Sequence, residues 1–254
     1  MLSRDDLLAS LAAIPVDAPV RAEEVTGSTN ATAIELAEAG SPEWTLVSAA
    51  HQTEGRGRLG RTWTDVANRS LLFSVVLRPP TLPPARAGLL SLLAGACMVE
   101  AIRSTAGRRV TCKWPNDILL REEKVGGILL ESAVEDDELR HVVIGVGVNL
   151  ATPADVDGAG GIGDRVGQRE LLSAFLVRFA AIYTTHDASF PERVRHAWLP
   201  VSATIGQVVR ATTSDGHVSV GRAVGIDGFG SLQLSTDEGE LRVGFGEIEH
   251  LRPT

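Results

Sequence analysis

Apolar residues recur along this chain in two rhythms. Ser3 to Ile14 repeats with the period of a helix and stops at Pro15, which predicts a short amphipathic helix. Ala31, Ile34 and Ala37 fall on one face of a second helical segment that ends at Gly40. Pro83 and Pro84 introduce a long apolar helix, Ala85 to Ser104, whose Leu, Ala and Gly face belongs to a core. Arg169 to Thr184 is amphipathic, and a shorter helix runs from Pro191 to Trp198. Between these lie β-like runs: Trp44–Ala50, Ser70–Arg78, Val110–Trp114, Ile118–Leu120, Val125–Glu131 and His141–Leu150. Arg121 to Lys124 reads as a hairpin connection, and the polar, glycine-rich Thr152 to Gly167 as a mobile loop. From Ala203 to Arg252 the pattern changes to short β runs, Thr204–Thr212, His217–Ile226, Ser231–Ser235 and Glu240–Phe245, as in a small β-barrel. The succession predicts an α+β fold, with a larger mixed domain over 1–200 and a small β domain over 201–254.

Composition narrows the chemistry. The 254 residues carry a net charge of −8, which opposes general affinity for nucleic acid or a membrane surface. No secretory signal is expected, because Asp5 and Asp6 interrupt the start and no long apolar core follows. Cys97 and Cys112 read as buried free thiols, and no ligand-spaced Cys/His cluster suggests zinc. A cytoplasmic protein is expected. His51, His141 and His217 sit on or beside β runs and read as structural; His186, His196 and His250 read as surface residues.

Against this acidic background one stretch is locally basic. Gln52 to Trp63 reads QTEGRGRLGRTW, placing Arg56, Arg58 and Arg61 among Gly55, Gly57 and Gly60. Arginine supplies a fork of donors for carboxylate and phosphate oxygens, and glycine lets the backbone approach a ligand. The letters also spell a dinucleotide fingerprint, but that motif must open a helix, and here a β run follows. The chain uses arginine almost everywhere for positive charge, and both of its lysines, Lys113 and Lys124, fall in one short segment. Ser28, Thr29 and Asn30 either cap the helix that follows them or turn hydroxyls and N–H groups toward a ligand.

Taken together, SerThrAsn at 28–30, GlyArgGlyArgLeuGlyArg at 55–61, LysTrpProAsnAsp at 113–117, LysValGlyGlyIleLeuLeuGlu at 124–131 and GlyValGlyValAsn at 145–149 closely resemble the biotin protein ligases. The resemblance runs from about residue 24 to the end. It implies a mixed-sheet catalytic domain of the biotin/lipoate ligase type followed by an SH3-like barrel. It also implies two reactions: biotin and ATP give biotinyl-5′-AMP, and the biotinyl group then passes to a lysine of a biotin carboxyl carrier domain of a carboxylase. Many members also carry an N-terminal winged helix and repress transcription. Only about 25 residues precede the first motif, against the roughly 50 that a small domain needs, so a monofunctional ligase that does not bind DNA is expected.

The resemblance further implies roles for individual residues. Ser28, Thr29, Asn30 and Gln52 would hold the ureido ring of biotin. Gly55, Arg56, Gly57 and Arg58 would close over biotin and adenylate, and Gly127 would let the strand backbone pack against biotin, unless Gly126 and Gly127 form a tight turn. Lys124, with Arg56 and Arg58, would act on the reacting carboxylate and phosphate. Arg61, Trp63, Lys113, Asn116 and Asn149 would bind ATP or adenylate, and Asp117 would carry Mg²⁺. Two other readings stand beside this one: a lipoate or octanoate ligase or transferase of the same fold, and a biotin-binding module without catalysis. The oligomeric state is not set by the sequence.

Overall fold

A computed structural model describes residues 1–154, 156–163, 165–213, 216–244 and 247–250, with Glu247 described by its backbone alone. Two sheets organise it. The larger has seven strands in the order β1-β2-β3-β7-β6-β5-β4. These are β1 (Val20–Thr26), β2 (Leu46–Gln52), β3 (Ser70–Leu77), β4 (Val110–Lys113), β5 (Asp117–Leu120), β6 (Glu123–Glu135) and β7 (Glu138–Asn149). β1 and β2 are parallel and are joined through helix α2 (Thr29–Glu38), as a parallel pair requires; the other pairings are antiparallel.

The sheet buries its two faces unequally. On one face lie α1 (Arg4–Leu11), α3 (Gly88–Ala106), α4 (Gln168–Ile182) and α5 (Phe190–Trp198), with a core that includes Phe73, Phe175, Phe179, Phe190 and Trp198. The alternation of β3 follows from this: Leu71, Phe73, Val75 and Leu77 enter that core, while Val76 faces the other way. α3 is long and apolar enough, with its lead-in from Pro84, to cross a membrane, but most of it is buried inside the protein. On the other face α2 covers only a patch, where Ala33 and Ala37 pack on Val47, Val76 and Val143. Beyond the N-terminus of α2 this face of the sheet forms the floor of a cleft.

The smaller sheet has the order β11-β10-β9-β8-β12, from β8 (Val208–Thr212), β9 (Val218–Ile226), β10 (Leu232–Thr236), β11 (Gly239–Val243) and β12 (Glu247–His250), all antiparallel. It docks on the first through Trp114, whose backbone N–H donates to Thr204 Oγ1 at 3.0 Å and whose indole N–H donates to the Gly230 carbonyl at 3.1 Å. The Trp114–Pro115 peptide is cis.

Several expectations need adjusting. β1 follows a pattern too polar to be read as a strand, because it is the sheet's edge and buries little of either face. The 152–167 loop is pinned where it is described. Lys124 N–H donates to the Gly158 carbonyl, Gly160 N–H to the Lys124 carbonyl, and Ile162 N–H to the Asn149 carbonyl, so its backbone has partners that a mobile loop lacks. His250 is half-buried beside Thr204 rather than on the open surface, and His217 is exposed. Phe245, the end of the fourth β run expected in the small domain, lies outside the described residues, as do positions 251–254.

Candidate active site

The floor of the cleft is built by register. Gly127 on β6 pairs with Gly147 on β7, which pairs with Leu72 on β3; one row along, Leu129 pairs with Gly145, which pairs with Ser74. Gly127, Gly145 and Gly147 therefore lie within paired strands on one face, and Gly126–Gly127 follow a bulge of β6 against β5 rather than forming a tight turn. Their missing side chains leave room for groups from elsewhere. A Cβ at Gly145 would lie 2.0 Å from Asn30 Oδ1, and one at Gly147 would lie 2.6 Å from the Trp63 ring. Gly126 faces the opposite side, where a Cβ would lie 3.3 Å from Ile118 Cδ1.

One wall is the start of α2. Ser28 holds the cap position, yet its hydroxyl makes no capping bond and lines the cleft. The cap comes instead from Gln52, whose Oε1 accepts the Thr29 N–H at 2.7 Å and lies 3.0 Å from Thr29 Oγ1. This fixes the Gln52 amide, with its Nε2 donors turned toward the base of the next element. Asn30 is 2% exposed and donates from Nδ2 to Glu131 Oε2 at 2.8 Å, while its Oδ1 accepts from Ser74 Oγ at 2.6 Å.

The arginine stretch forms the opposite wall as a small hairpin. Trp63 N–H donates to the Gly55 carbonyl, Arg56 bridges Thr62, and Gly57 N–H donates to the Arg61 carbonyl at 2.7 Å. Leu59 at φ 54° and Gly60 at φ 73° turn its tip. Asp65, whose side chain is fully buried, ties its base to β2 by accepting the Gln52 N–H and pairing with His51 Nδ1 at 3.0 Å. The hairpin reaches across the cleft in two places: Arg56 Nη1 is 3.2 Å from Glu131 Oε1, and Arg58 Nη1 donates to Asn116 Oδ1 at 3.4 Å. Trp63 lies over the glycine floor with its indole N–H buried and unpartnered.

At the far end stand both lysines. Lys124 Nζ is 2.5 Å from Asp117 Oδ1 and 6.0 Å from the centre of the Trp63 ring. Lys113 lines the same end, with Ile248 of the small sheet. Of the residues singled out from sequence, Ser28, Thr29, Asn30, Gln52, Arg56, Gly57, Arg58, Arg61, Trp63, Lys113, Asn116, Asp117, Lys124 and Gly127 line this one cleft. Two do not. Gly55 stands at the hairpin base, where a Cβ would come within 2.3 Å of the Trp63 carbonyl oxygen, so the fold itself requires the glycine. Asn149 is buried beside Ser70, whose hydroxyl donates to it at 3.4 Å, and is not on the cleft wall. Asp65, Ser74 and the side chain of Glu131 were not anticipated; the acid two residues after Trp63 was the one visible signal.

Compared with known proteins, residues 23–149 match the Biotin/lipoate A/B protein ligase family and residues 204–251 the Biotin protein ligase C terminal domain. The chain is 35% identical over 239 residues to the biotin–[acetyl-CoA-carboxylase] ligase of Paracoccus denitrificans, covering 88% of this chain and 97% of that one. The chain belongs to the biotin/lipoate A/B protein ligase family. It is also 35% identical over 237 residues to the bifunctional ligase/repressor BirA of Bacillus spizizenii, covering 89% of this chain and 72% of that one. Among solved structures, the biotin protein ligase from Aquifex aeolicus in complex with biotin and ATP superposes with a TM-score of 0.76 at 24% identity, covering 92% and 99% of the two chains, and shares the fold. The second family match and the Paracoccus relative place the chain on the biotin side of the family.

Proposed function

We propose that this ligase activates biotin with ATP to biotinyl-5′-AMP and transfers the biotinyl group to a lysine of a biotin carboxyl carrier domain of a carboxylase. The observation that carries the reading is one cleft with two chemically different ends. Hydroxyl and amide groups of Ser28, Thr29, Asn30 and Gln52 stand at one end and Lys113 and Lys124 at the other, with the arginine hairpin as a wall that reaches both, from Arg56 near Asn30 to Arg58 near Asn116. A ureido ring has N–H donors and a carbonyl acceptor that the first end can match. A linear lipoyl or octanoyl chain offers no such groups there, which favours biotin over the lipoate alternative.

In the first step a carboxylate oxygen attacks the α-phosphorus of ATP and pyrophosphate leaves. The obstacle is bringing one anion against another, so catalysis is positioning and charge neutralisation. Lys124, Arg56 and Arg58 are assigned to the reacting oxygens, Arg61, Lys113 and Asn116 to the phosphates, and Trp63 to the adenine side. Asn149, buried beside Ser70, is kept on the adenine side as the resemblance implies. Among the described residues no group of three or more His, Cys, Asp or Glu side chains is placed to hold a metal. A single carboxylate, Asp117, suits a Mg²⁺ that arrives on ATP phosphates and keeps its waters. Bound there, Mg²⁺ would neutralise phosphate charge. In the second step the carrier lysine amine attacks the acyl carbon, AMP leaves, and the nitrogen loses its proton. The hairpin and glycine floor keep water from the mixed anhydride meanwhile. We place the division between a catalytic unit and a smaller C-terminal unit near residue 200, and the protein in the cytoplasm, where buried thiols such as Cys97 and Cys112 stay reduced.

The test is biotin-dependent pyrophosphate release from ATP and Mg²⁺, followed by addition of a carrier domain. Release and carrier labelling are expected, with lipoate inactive. Biotin binding without release would leave a binding module, and lipoate turnover in place of biotin would move the chain to the other side of its family.

A further inference from the structure

Glu131 joins the two walls of the cleft. Its Oε1 is 3.2 Å from Arg56 Nη1 of the hairpin, and its Oε2 accepts the Asn30 Nδ2 hydrogen at 2.8 Å. One carboxylate thus holds the arginine hairpin with one oxygen and the start of α2 with the other. We propose that Glu131 is a positioning residue that latches the arginine hairpin against the biotin-side wall and sets the direction of the Asn30 amide. The inference rests on the biotin ligase reading, since it names which substrate the latch serves.

Three physical points support it. A carboxylate only accepts, so it decides which end of Asn30 faces it; Nδ2 turns to Glu131, and Oδ1 turns to Ser74 Oγ at 2.6 Å. The hairpin carries three arginines within six residues, whose mutual repulsion favours opening unless an anion meets them. The Glu131 and Arg56 side chains are 30% and 41% exposed, so their pair adds little to global stability, but a small bias is enough to shift a hairpin between two positions. Glu131 faces the cleft side of the sheet by register, opposite Val143 on β7, four residues along the strand from Gly127.

The test uses Glu131→Gln. The amide keeps the shape but offers only one acceptor oxygen, so its NH₂ group must face either Asn30 Nδ2 or Arg56, donor against donor. In the apo protein, tryptic cleavage after Arg56, Arg58 or Arg61 is expected to quicken about fivefold. The KM for biotin is expected to rise about tenfold, more than the KM for ATP, with kcat also lowered because Arg56 and Arg58 ride on the released hairpin. Glu131→Asp keeps the charge but shortens the reach, and is expected to recover part of the biotin KM. It also carries the cleavage test if the glutamine variant does not fold. Cleavage and biotin KM within twofold of wild type would overturn the latch. So would equal rises in both KM values with a lowered melting temperature, which would make Glu131 a merely structural residue. If wild type releases no pyrophosphate, the function fails by itself, and the cleavage comparison alone still decides the latch.

Discussion

Lys124 Nζ stands 2.5 Å from Asp117 Oδ1, across the neighbouring strands β6 and β5, with Trp63 beside the pair. The side chains are 40% and 26% exposed, so the ion pair contributes little to stability. Lys124→Ala is expected to leave the melting temperature within a few degrees and to lower biotin-dependent pyrophosphate release by about 10²–10³-fold, as for loss of one positioned charge-stabilising group. Near-normal release would remove Lys124 from the reaction.

The glycines of the floor separate two kinds of damage. Gly145→Ala drives a methyl group into Asn30, which is buried and held by Glu131 and Ser74. It is expected to cost about 1–3 kcal/mol of stability and most of the biotin affinity. Gly147→Ala meets Trp63 instead, a partly exposed side chain on a hairpin that can shift. It is expected to spare stability and to weaken ATP binding more than biotin binding. Urea unfolding and titration of each ligand check both. A similar loss of stability in the two variants would mean that Trp63 is as fixed as Asn30.

How much of this was legible from sequence depended on the length scale of each signal. The large sheet and helices followed from local periodicity, because their residues face a core on fixed sides. β1 was invisible because an edge strand with Arg21, Glu23 and Glu24 lacks that alternation. The hairpin, both lysines and the Ser28–Asn30 segment were legible as candidates through their chemistry. Their meeting in one cleft was not legible, since it depends on which strands are neighbours. Glu131 and Asp65 illustrate the gap. Each partners residues far along the chain or across a loop, so the contacts of its side chain carry no local mark, even at Glu131, which closes a motif. Asn149 was visible as a motif residue, but its burial beside Ser70 was not.

Arg78 holds the opposite end of α2 from the site. Its guanidinium donates to the Ala37 and Ser41 carbonyls at 2.7 Å each and to the Arg140 carbonyl at 3.1 Å, tying the end of α2 to β7. Its backbone N–H donates to Glu43 Oε1, which also accepts the Tyr183 hydroxyl at 2.6 Å. Arg78→Met keeps much of the apolar stem and abandons the carbonyls. A loss of about 2–3 kcal/mol in urea unfolding is expected, with catalysis retained in the folded fraction. An unchanged midpoint would mean that water replaces the guanidinium at no cost.

Acid should weaken the fold through two histidines. Burial, and then the Arg78 charge, hold His141 below the ordinary histidine value; burial, and then the Lys113 charge, do the same for His250. A histidine with a depressed folded value takes up its proton in the unfolded chain first. Above the unfolded value of about 6.5 both states are neutral and neither residue affects stability. As pH falls below that value the unfolded chain binds more protons, and stability declines until the folded histidines also protonate. The melting temperature is therefore expected to drop between roughly pH 7.5 and pH 5, and to drop less in His250→Asn, which keeps a polar group near Thr204. Because His250 lies in the strand that brings Ile248 to the cleft, acid should loosen the docking of the small sheet before the large one unfolds. Hydrogen exchange at about pH 5.5 would show early loss of protection at Val208–Thr212 rather than at Ser70–Leu77. The same slope of melting temperature against pH in wild type and His250→Asn would remove His250 from the acid response.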